Sequence, residues 1–167
     1  MTESSILQML YMQRDFMEAG DQTVEILNPT QESMYSNLIQ EEVQELEDAP
    51  SIIDELDALV DIMVVSFGLI LSGDHEEINW ELVDSDASYE EVLDLIINGD
   101  HDPVILIKRC ILAIKRLDIE VFSAWREVMD TNMAKIDPNT GKVRKREDGK
   151  ILKPEGWKPP NLARFFD

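Results

Sequence analysis

The chain has a single cysteine, Cys110, among its 167 residues, so it cannot form an internal disulfide. Cys110 lies in a largely apolar run, 105–114, which predicts a buried thiol rather than a nucleophile and favours a reducing compartment. The longest apolar stretch, 58–71, is interrupted by Asp61 and is too short to cross a membrane. No basic segment followed by an apolar one opens the chain, so we expect no signal peptide. We therefore expect a cytoplasmic protein.

Positive charge is also scarce, because 35 Asp and Glu residues outnumber 15 Lys and Arg residues and leave a net charge of −20. Arg14 is the only Lys or Arg before Lys108, and most of the others follow from Arg126 onward. The acidic part would repel nucleic acid, which we exclude as a partner together with a membrane. A basic tail beside an acidic region favours a small anion carried by metal, such as a nucleoside triphosphate. The alternative is an acidic surface with a solvated basic tail.

Apolar residues recur with a helical period along most of the chain, which predicts an all-α fold, an antiparallel helix bundle with an irregular basic C-terminal tail. Helices are expected at about 4–19, 30–48, 51–72, 88–97, 103–117 and 119–135. The expected N-caps of the second to fifth helices are Thr30, Ser51, Ser88 and Asp102. The third helix is apolar on nearly every face and should be the central, buried one.

The length fits one domain, 1–167, with a basic tail over 136–167. Polar and acidic residues fill a connector after Gly73, with Trp80 and Leu82 as possible anchors. In the tail the helical period is lost, and a short hairpin is expected around 139–141 or around 148–149.

Two acidic clusters lie inside apolar helical patterns. In the second predicted helix, Glu42 and Glu45 share one face, and Glu42 points into the apolar stripe of Leu38, Ile39 and Leu46. In the third, the carboxylates fall within a wedge of roughly 60° at about 100° per residue. They are Asp54, Asp57 and Asp61. Carboxylates stay charged in an apolar interior only with compensation, and an all-oxygen ligand set suits Mg²⁺ or Mn²⁺.

The break between these two helices is short, so they should pack as antiparallel neighbours. Glu42 and Glu45 would then face Asp54 and Asp57 across the contact. Gly68 continues the aspartate stripe and predicts open room there. Asp54 alone has a competing interpretation, because a carboxylate in the first turn favours the helix dipole without any metal.

Other carboxylate chemistries fit the sequence poorly. A ferritin-like di-iron site needs Glu-x-x-His on two helices, but His75 and His101 lie in polar segments outside these helices. A calcium loop at Asp84–Asp86 lacks the required glycine and terminal glutamate. A protein that imitates DNA charge would place its carboxylates outward and would not need aspartates on a buried helix.

Glu41-Glu42-x-x-Glu45, followed by Asp57-Ala-Leu-Val-Asp61 and Gly68, resembles the motifs of the MazG-like all-α nucleotide pyrophosphohydrolases. The loop 19–22 is similar to the entry region of that family. The ordered tail series Asn132-Met-Ala-Lys135, Gly141-Lys142, Asp148-Gly-Lys150, Lys153-Pro and Trp157-Lys-Pro-Pro is similar to the C-terminal signature of its small phage and bacterial members. The resemblance does not extend over 73–117, which we expect to be a helical insertion.

The resemblance implies Mg²⁺-dependent hydrolysis of a nucleoside triphosphate between the α- and β-phosphates, giving a monophosphate and pyrophosphate. It makes Glu42, Glu45 and Asp57 metal ligands, with Asp54 or Asp61 completing the set, and Glu41 the base that orients water. The substrate-binding candidates are Gln22, Asn37, Asn132, Lys135, Lys142, Lys150 and Lys153. It also implies a homodimer or homotetramer, in the cytoplasm of a bacterium or, if a phage encodes the protein, of its host. Two alternatives stay open: a non-catalytic acidic interaction module, and a nucleotide-binding regulator on the same fold. The base and sugar preferred are not determined by the sequence.

Overall fold

The computed structural model describes residues 1–73, 77–82, 85–147 and 151–167 of the chain. Within these residues six α-helices form an all-α bundle, and the predicted fold class is confirmed. The helices are α1 Glu3–Ala19, α2 Pro29–Asp48, α3 Ile52–Leu71, α4 Tyr89–Asn98, α5 Pro103–Arg116 and α6 Val121–Met133. The short strands β1 Ile136–Asp137 and β2 Lys142–Val143 and a 3₁₀ helix, Leu162–Phe166, follow.

Side-chain caps determine where the helices begin. The predicted caps Ser51, Ser88 and Asp102 open α3, α4 and α5, and each side chain accepts a backbone N–H of the first turn. For α2 the predicted cap, Thr30, is wrong. Asn28 caps this helix by accepting the N–H of Gln31, because Pro29 takes the first helical position, where its missing N–H costs nothing.

α3 lies at the centre of the bundle, as predicted from its apolar faces. α2 and α5 pack along it, and α1 and α6 complete its surroundings. Phe67 packs edge-on against Trp125 at 5.4 Å between ring centroids and contacts Trp80 at 5.9 Å. Trp80 is 5% exposed, so the expected anchor of the connector is confirmed.

The predicted insertion, 73–117, contributes to the same core. α5 buries Leu106, Ile107 and Ile111 in contact with the central layer. Cys110 is fully buried on this helix, and burial raises the pKa of its thiol. The prediction of a core thiol is therefore confirmed.

The basic tail begins with a hairpin. Ile136 pairs with Val143 and Asp137 with Lys142, around a turn in which Gly141 has a positive φ of 70°. The hairpin expected around 139–141 is confirmed, whereas its alternative at 148–149 lies outside the described residues. Among the described helices, none combines the length and the apolar character that crossing a membrane requires.

Candidate functional site

The site is built on the antiparallel pair α2 and α3. The ring of Tyr35 lies against Gly68, where an added Cβ would be 2.3 Å from Tyr35 Cε1. The open room expected at Gly68 is therefore absent, because this ring fills it. Seven residues along α2 from Tyr35 comes Glu42, and seven residues back along α3 from Gly68 comes Asp61. The contact thus sets a register in which two carboxyl groups face each other.

Glu42 is the most perturbed carboxyl group of α2. Burial, followed by the charges of Asp61 and Glu45, raises its pKa to about 9. A hydrogen bond with Glu45 adds to the shift, because it favours the protonated form. Oε2 of Glu42 is buried and has no hydrogen-bond partner. A carboxyl oxygen left in this way is destabilising unless a proton or a cation satisfies it.

Two aspartates of α3 share this environment. Burial, with the charges of Asp57 and Glu45, raises the pKa of Asp61 to about 8, and Lys135 acts in the opposite direction. Burial also raises the pKa of Asp57, assisted by the charges of Glu45 and Asp54. Glu42, Glu45, Asp57 and Asp61 therefore form one group of mutually repelling carboxyl side chains, which we call the carboxyl cluster.

The donor chemistry of the carboxyl cluster fits Mg²⁺ or Mn²⁺, since all its ligand atoms are carboxylate oxygens. The buried, unpartnered Oε2 of Glu42 is the observation that favours a cation there. In the described part of the chain, no group of three or more His, Cys, Asp or Glu side chains is arranged to hold a metal ion. Glu45 is exposed, whereas Glu42, Asp57 and Asp61 are partly buried.

Two further predicted site residues lie at the edge of the cluster. Asp54 is exposed in the first turn of α3, where its carboxylate accepts a hydrogen bond from Ser51 Oγ at 2.6 Å. The charge of Asp54 contributes to the raised pKa of Asp57. Among the aspartates, the charge of Asp61 raises the pKa of Glu42 most. Glu41, the predicted base, is exposed on α2 beside the cluster.

The end of α6 and the tail bring two lysines together. The Lys135 ammonium lies 5.3 Å from the centroid of the Trp157 ring, and the Lys153 ammonium lies 4.5 Å from it. Trp157 is fixed by donating its Nε1–H to the carbonyl of Thr131 at 2.7 Å. Burial and the neighbouring Lys153 charge lower the pKa of Lys135, while the charge of Asp61 opposes that shift. Lys135 thus lies near Asp61 of the carboxyl cluster, and Lys153 shares the Trp157 ring with it. Asn132 accepts a hydrogen bond from Lys135 at 3.2 Å.

The other predicted tail lysines are placed differently. Lys142 donates to the carbonyl of Glu18 at 3.1 Å and pairs with Asp21 at 2.9 Å. Lys145, which was not among the predicted site residues, donates to the carbonyl of Gly20 at 2.5 Å. Both cations fasten the hairpin to the C-terminus of α1, where the helix dipole is negative. Lys150 lies outside the described residues.

The amide candidates are also separated. Gln22 accepts a hydrogen bond from the Tyr35 hydroxyl at 2.6 Å, so one of its two edges is occupied. Asn37 is exposed on the outer side of α2. Gln13, which the sequence reasoning missed, is 1% exposed, hydrogen-bonds with Tyr35, and leaves its Oε1 without a partner. A polar residue in the buried stripe of α1 was the signal that could have identified it.

A small cleft of about 250 Å³ lies on the tail side of this region. Its lining includes Lys135, Arg144 and Pro154. Arg144 was missed at the sequence level, because nothing in an irregular tail indicates which cations approach a helix end.

Comparison with known proteins adds no relative: no family model, no curated protein and no solved structure matches this chain. The resemblance to MazG-like enzymes stays a prediction that depends on the motifs alone.

Proposed function

We propose that the protein is a metal-dependent nucleoside triphosphate pyrophosphohydrolase, which cleaves an NTP or dNTP to the monophosphate and pyrophosphate. One observation carries the proposal: four carboxyl groups whose charges act on one another lie along the contact of α2 and α3, and a cationic residue, Lys135, lies close enough for its charge to act on Asp61. Carboxylates hold Mg²⁺ together with substrate phosphates, and lysines neutralise the phosphate charge that remains.

The carboxyl cluster would hold the metal. Glu42 and Asp61 supply the inner, partly buried oxygens, and Glu45 and Asp57 supply oxygens closer to solvent. When bound, Mg²⁺ polarises a phosphoryl oxygen and lowers the pKa of bound water. The raised pKa values of these groups are consistent with metal binding. Ionising such a carboxyl group costs free energy in the metal-free protein, and a bound divalent cation stabilises the ionised form.

The cationic side of the site would bind the triphosphate. Lys135, whose charge acts on Asp61, and Lys153, which lies against the same Trp157 ring, can donate to phosphate oxygens. Glu41 is exposed and adjacent in sequence to Glu42, a position from which a carboxylate can accept the proton of an attacking water. The proposal does not specify the nucleobase of the substrate, so dUTP, dCTP, dGTP and damaged nucleotides all stay candidates.

A nucleotide-binding regulator is the second candidate. It is favoured by the absence, among the described residues, of a group of three side chains already arranged around a metal. The acidic interaction module fits less well, because Glu42, Asp57 and Asp61 are partly buried rather than presented to a partner.

The test is pyrophosphate release across a panel of canonical and modified triphosphates, with Mg²⁺ or Mn²⁺ and with chelator. We expect turnover of at least one nucleotide, lost with chelator and reduced at least 100-fold in the isosteric variants Glu42→Gln and Asp61→Asn, about 2.7 kcal/mol or more. Glu47→Gln is a matched control, since Glu47 is exposed on α2 outside the cluster.

Binding measurements separate the two candidates. Metal-dependent binding of a triphosphate with an uncleavable α,β-imido bridge, without turnover of any member of the panel, would establish the regulator and contradict the enzyme. If the protein neither binds nor hydrolyses any of these triphosphates, both the enzyme and the regulator are contradicted.

A further inference from the structure

The positive charge of the helical part is concentrated on one helix. Every Lys and Arg between Arg14 and Arg126 lies on α5, namely Lys108, Arg109, Lys115 and Arg116. Two of these cations are used within the chain: Arg109 donates to the carbonyl of Leu95 at 3.0 Å, and Arg116 donates to the carbonyl of Ala87 at 2.8 Å. In the described ranges Lys108 and Lys115 form no ion pair of 4.0 Å or less.

Lys108 and Lys115 border an apolar groove on the outer side of α5. Seven residues separate them, about 10.5 Å along the helix, so they lie on one face. The groove has a volume of about 320 Å³, and its apolar lining consists of Leu82, Ile105, Ile111 and Leu112. Apolar walls between two cations suit a helix that presents an apolar side chain flanked by carboxylates.

The neighbouring helix α4 has that pattern on its exposed face. Leu95 is 43% exposed, although it is a large apolar side chain. Glu90 and Asp94 are exposed beside it and four residues apart, so they share a face. A second, open groove on this side is lined by Ala87, Glu90, Glu91, Asp94 and Leu95. One helical hairpin therefore carries both an apolar-basic and an apolar-acidic surface.

We propose that two copies of this chain associate through the α4–α5 hairpin, with α4 of each copy lying on α5 of the other. A two-fold arrangement satisfies both surfaces at once, because each copy contributes one of each kind. A pairing of the helical part that leaves out α5 has only Arg14 and Arg126 to offset the negative charge of a chain of net charge −20, which disfavours it. The proposal is independent of the hydrolase and specifies a surface, beyond the homo-oligomer that the resemblance implies.

Charge reversal tests the proposal on the full chain. Sedimentation equilibrium should give a mass twice the 19.2 kDa of the monomer for the unmodified protein. The variant Lys108→Glu/Lys115→Glu and the variant Glu90→Lys/Asp94→Lys should each be monomeric at the same concentration. An equimolar mixture should recover the dimer, because both contacts of the heterodimer then pair opposite charges.

Two comparisons keep the outcome decisive. Arg126→Glu/Lys158→Glu makes the same change in net charge on exposed positions elsewhere and should remain dimeric. If charge reversal lowers the melting temperature, the milder variant Lys108→Gln/Lys115→Gln should still weaken association at least tenfold. A monomeric unmodified protein, or a dimer unchanged in the reversed variants, would overturn the proposal. So would a mixture that stays monomeric while both variants remain folded.

Discussion

The ring of Tyr35 fills the space beside Gly68, with 2.3 Å between ring atom Cε1 and the position that a Cβ would take. This contact between α2 and α3 lies two helical turns from the facing pair Glu42 and Asp61. Tyr35 is itself held on its hydroxyl side by Gln22 and Gln13. An apolar and aromatic contact thus fixes how the acidic faces of the two helices meet.

Replacing Gly68 with Ala should destabilise the protein. The new methyl group would overlap the buried Tyr35 ring, and overpacking of this kind costs typically 1–3 kcal/mol. We expect a lower denaturation midpoint in urea and a smaller response of the melting temperature to Mg²⁺, because the register at the carboxyl cluster shifts. Tyr35→Leu in the same chain should recover part of the stability. An unchanged midpoint for Gly68→Ala would show that the contact does not set the packing.

The stability of the metal-free protein should decrease as pH rises. The pKa values of Glu42 and Asp61 are raised in the fold from 4.5 and 3.8 to about 9 and about 8. Between these limits the folded state holds more protons than the unfolded state, so the free energy of unfolding falls with pH and is highest below the unfolded values. Thermal melts in chelator from pH 5 to pH 9 measure the effect.

Asp61→Asn removes one titrating group from that profile. We expect a flatter dependence on pH and a melting temperature higher by about 2–8 °C at pH 9, corresponding to about 1–2 kcal/mol. Glu47→Gln, at an exposed position of α2 outside the cluster, should leave the profile unchanged. Stability that increases with pH would contradict the assignment of raised pKa values.

Mg²⁺ or Mn²⁺ should stabilise the native state. At a metal concentration a hundred times Kd the gain is about 2.7 kcal/mol, which corresponds to an increase in melting temperature of roughly 5–10 °C. The increase should be larger at pH 8.5 than at pH 6, because protons compete for the same oxygens. Glu45→Ala should remove most of it and Glu47→Ala should not. Equal responses of the two variants would place the metal elsewhere.

Replacing Lys135 and replacing Lys142 should have different effects on catalysis. Lys135 lies beside the carboxyl cluster, so Lys135→Ala should lower kcat/KM by about 10–100-fold, the value of a charge-assisted hydrogen bond of about 1.5–3 kcal/mol. Lys142→Ala should affect kcat/KM far less and lower stability by at most about 1 kcal/mol, because its contacts at the end of α1 are exposed. If Lys142→Ala lowers kcat/KM more than Lys135→Ala does, then the hairpin, and not the end of α6, binds the phosphates.

The sequence predicted the parts of the site that depend on helical periodicity. Glu42 was expected to point inward because Leu38, Ile39 and Leu46 surround it on the helix, and it is partly buried. Asp57 and Asp61 were placed on one stripe for the same reason. Tyr35 was missed, because periodicity indicates the face of a residue but not the residue that it contacts on another helix.

The basic tail is where the sequence predicts the site least well. Five predicted substrate contacts came from it or from the end of α6, yet the described residues place Lys135 and Lys153 together at Trp157 and place Lys142 at α1. Their spacing in the sequence contains no information on this division, because an irregular segment has no period. Contacts between residues distant in the sequence decide it: Lys142 and Glu18 are 124 positions apart, and Trp157 and Thr131 are 26 apart.

The sequence by itself determined the six helices, three of their N-caps and the inward direction of the acidic stripes, since these depend on neighbours within one or two turns. The tertiary structure decided that Asp61 faces Glu42 while Asp54 stays at the helix cap, and which lysine approaches them. The reason is physical: the pairing depends on the shapes of distant side chains, such as one aromatic ring against one glycine, and packing alone brings them together.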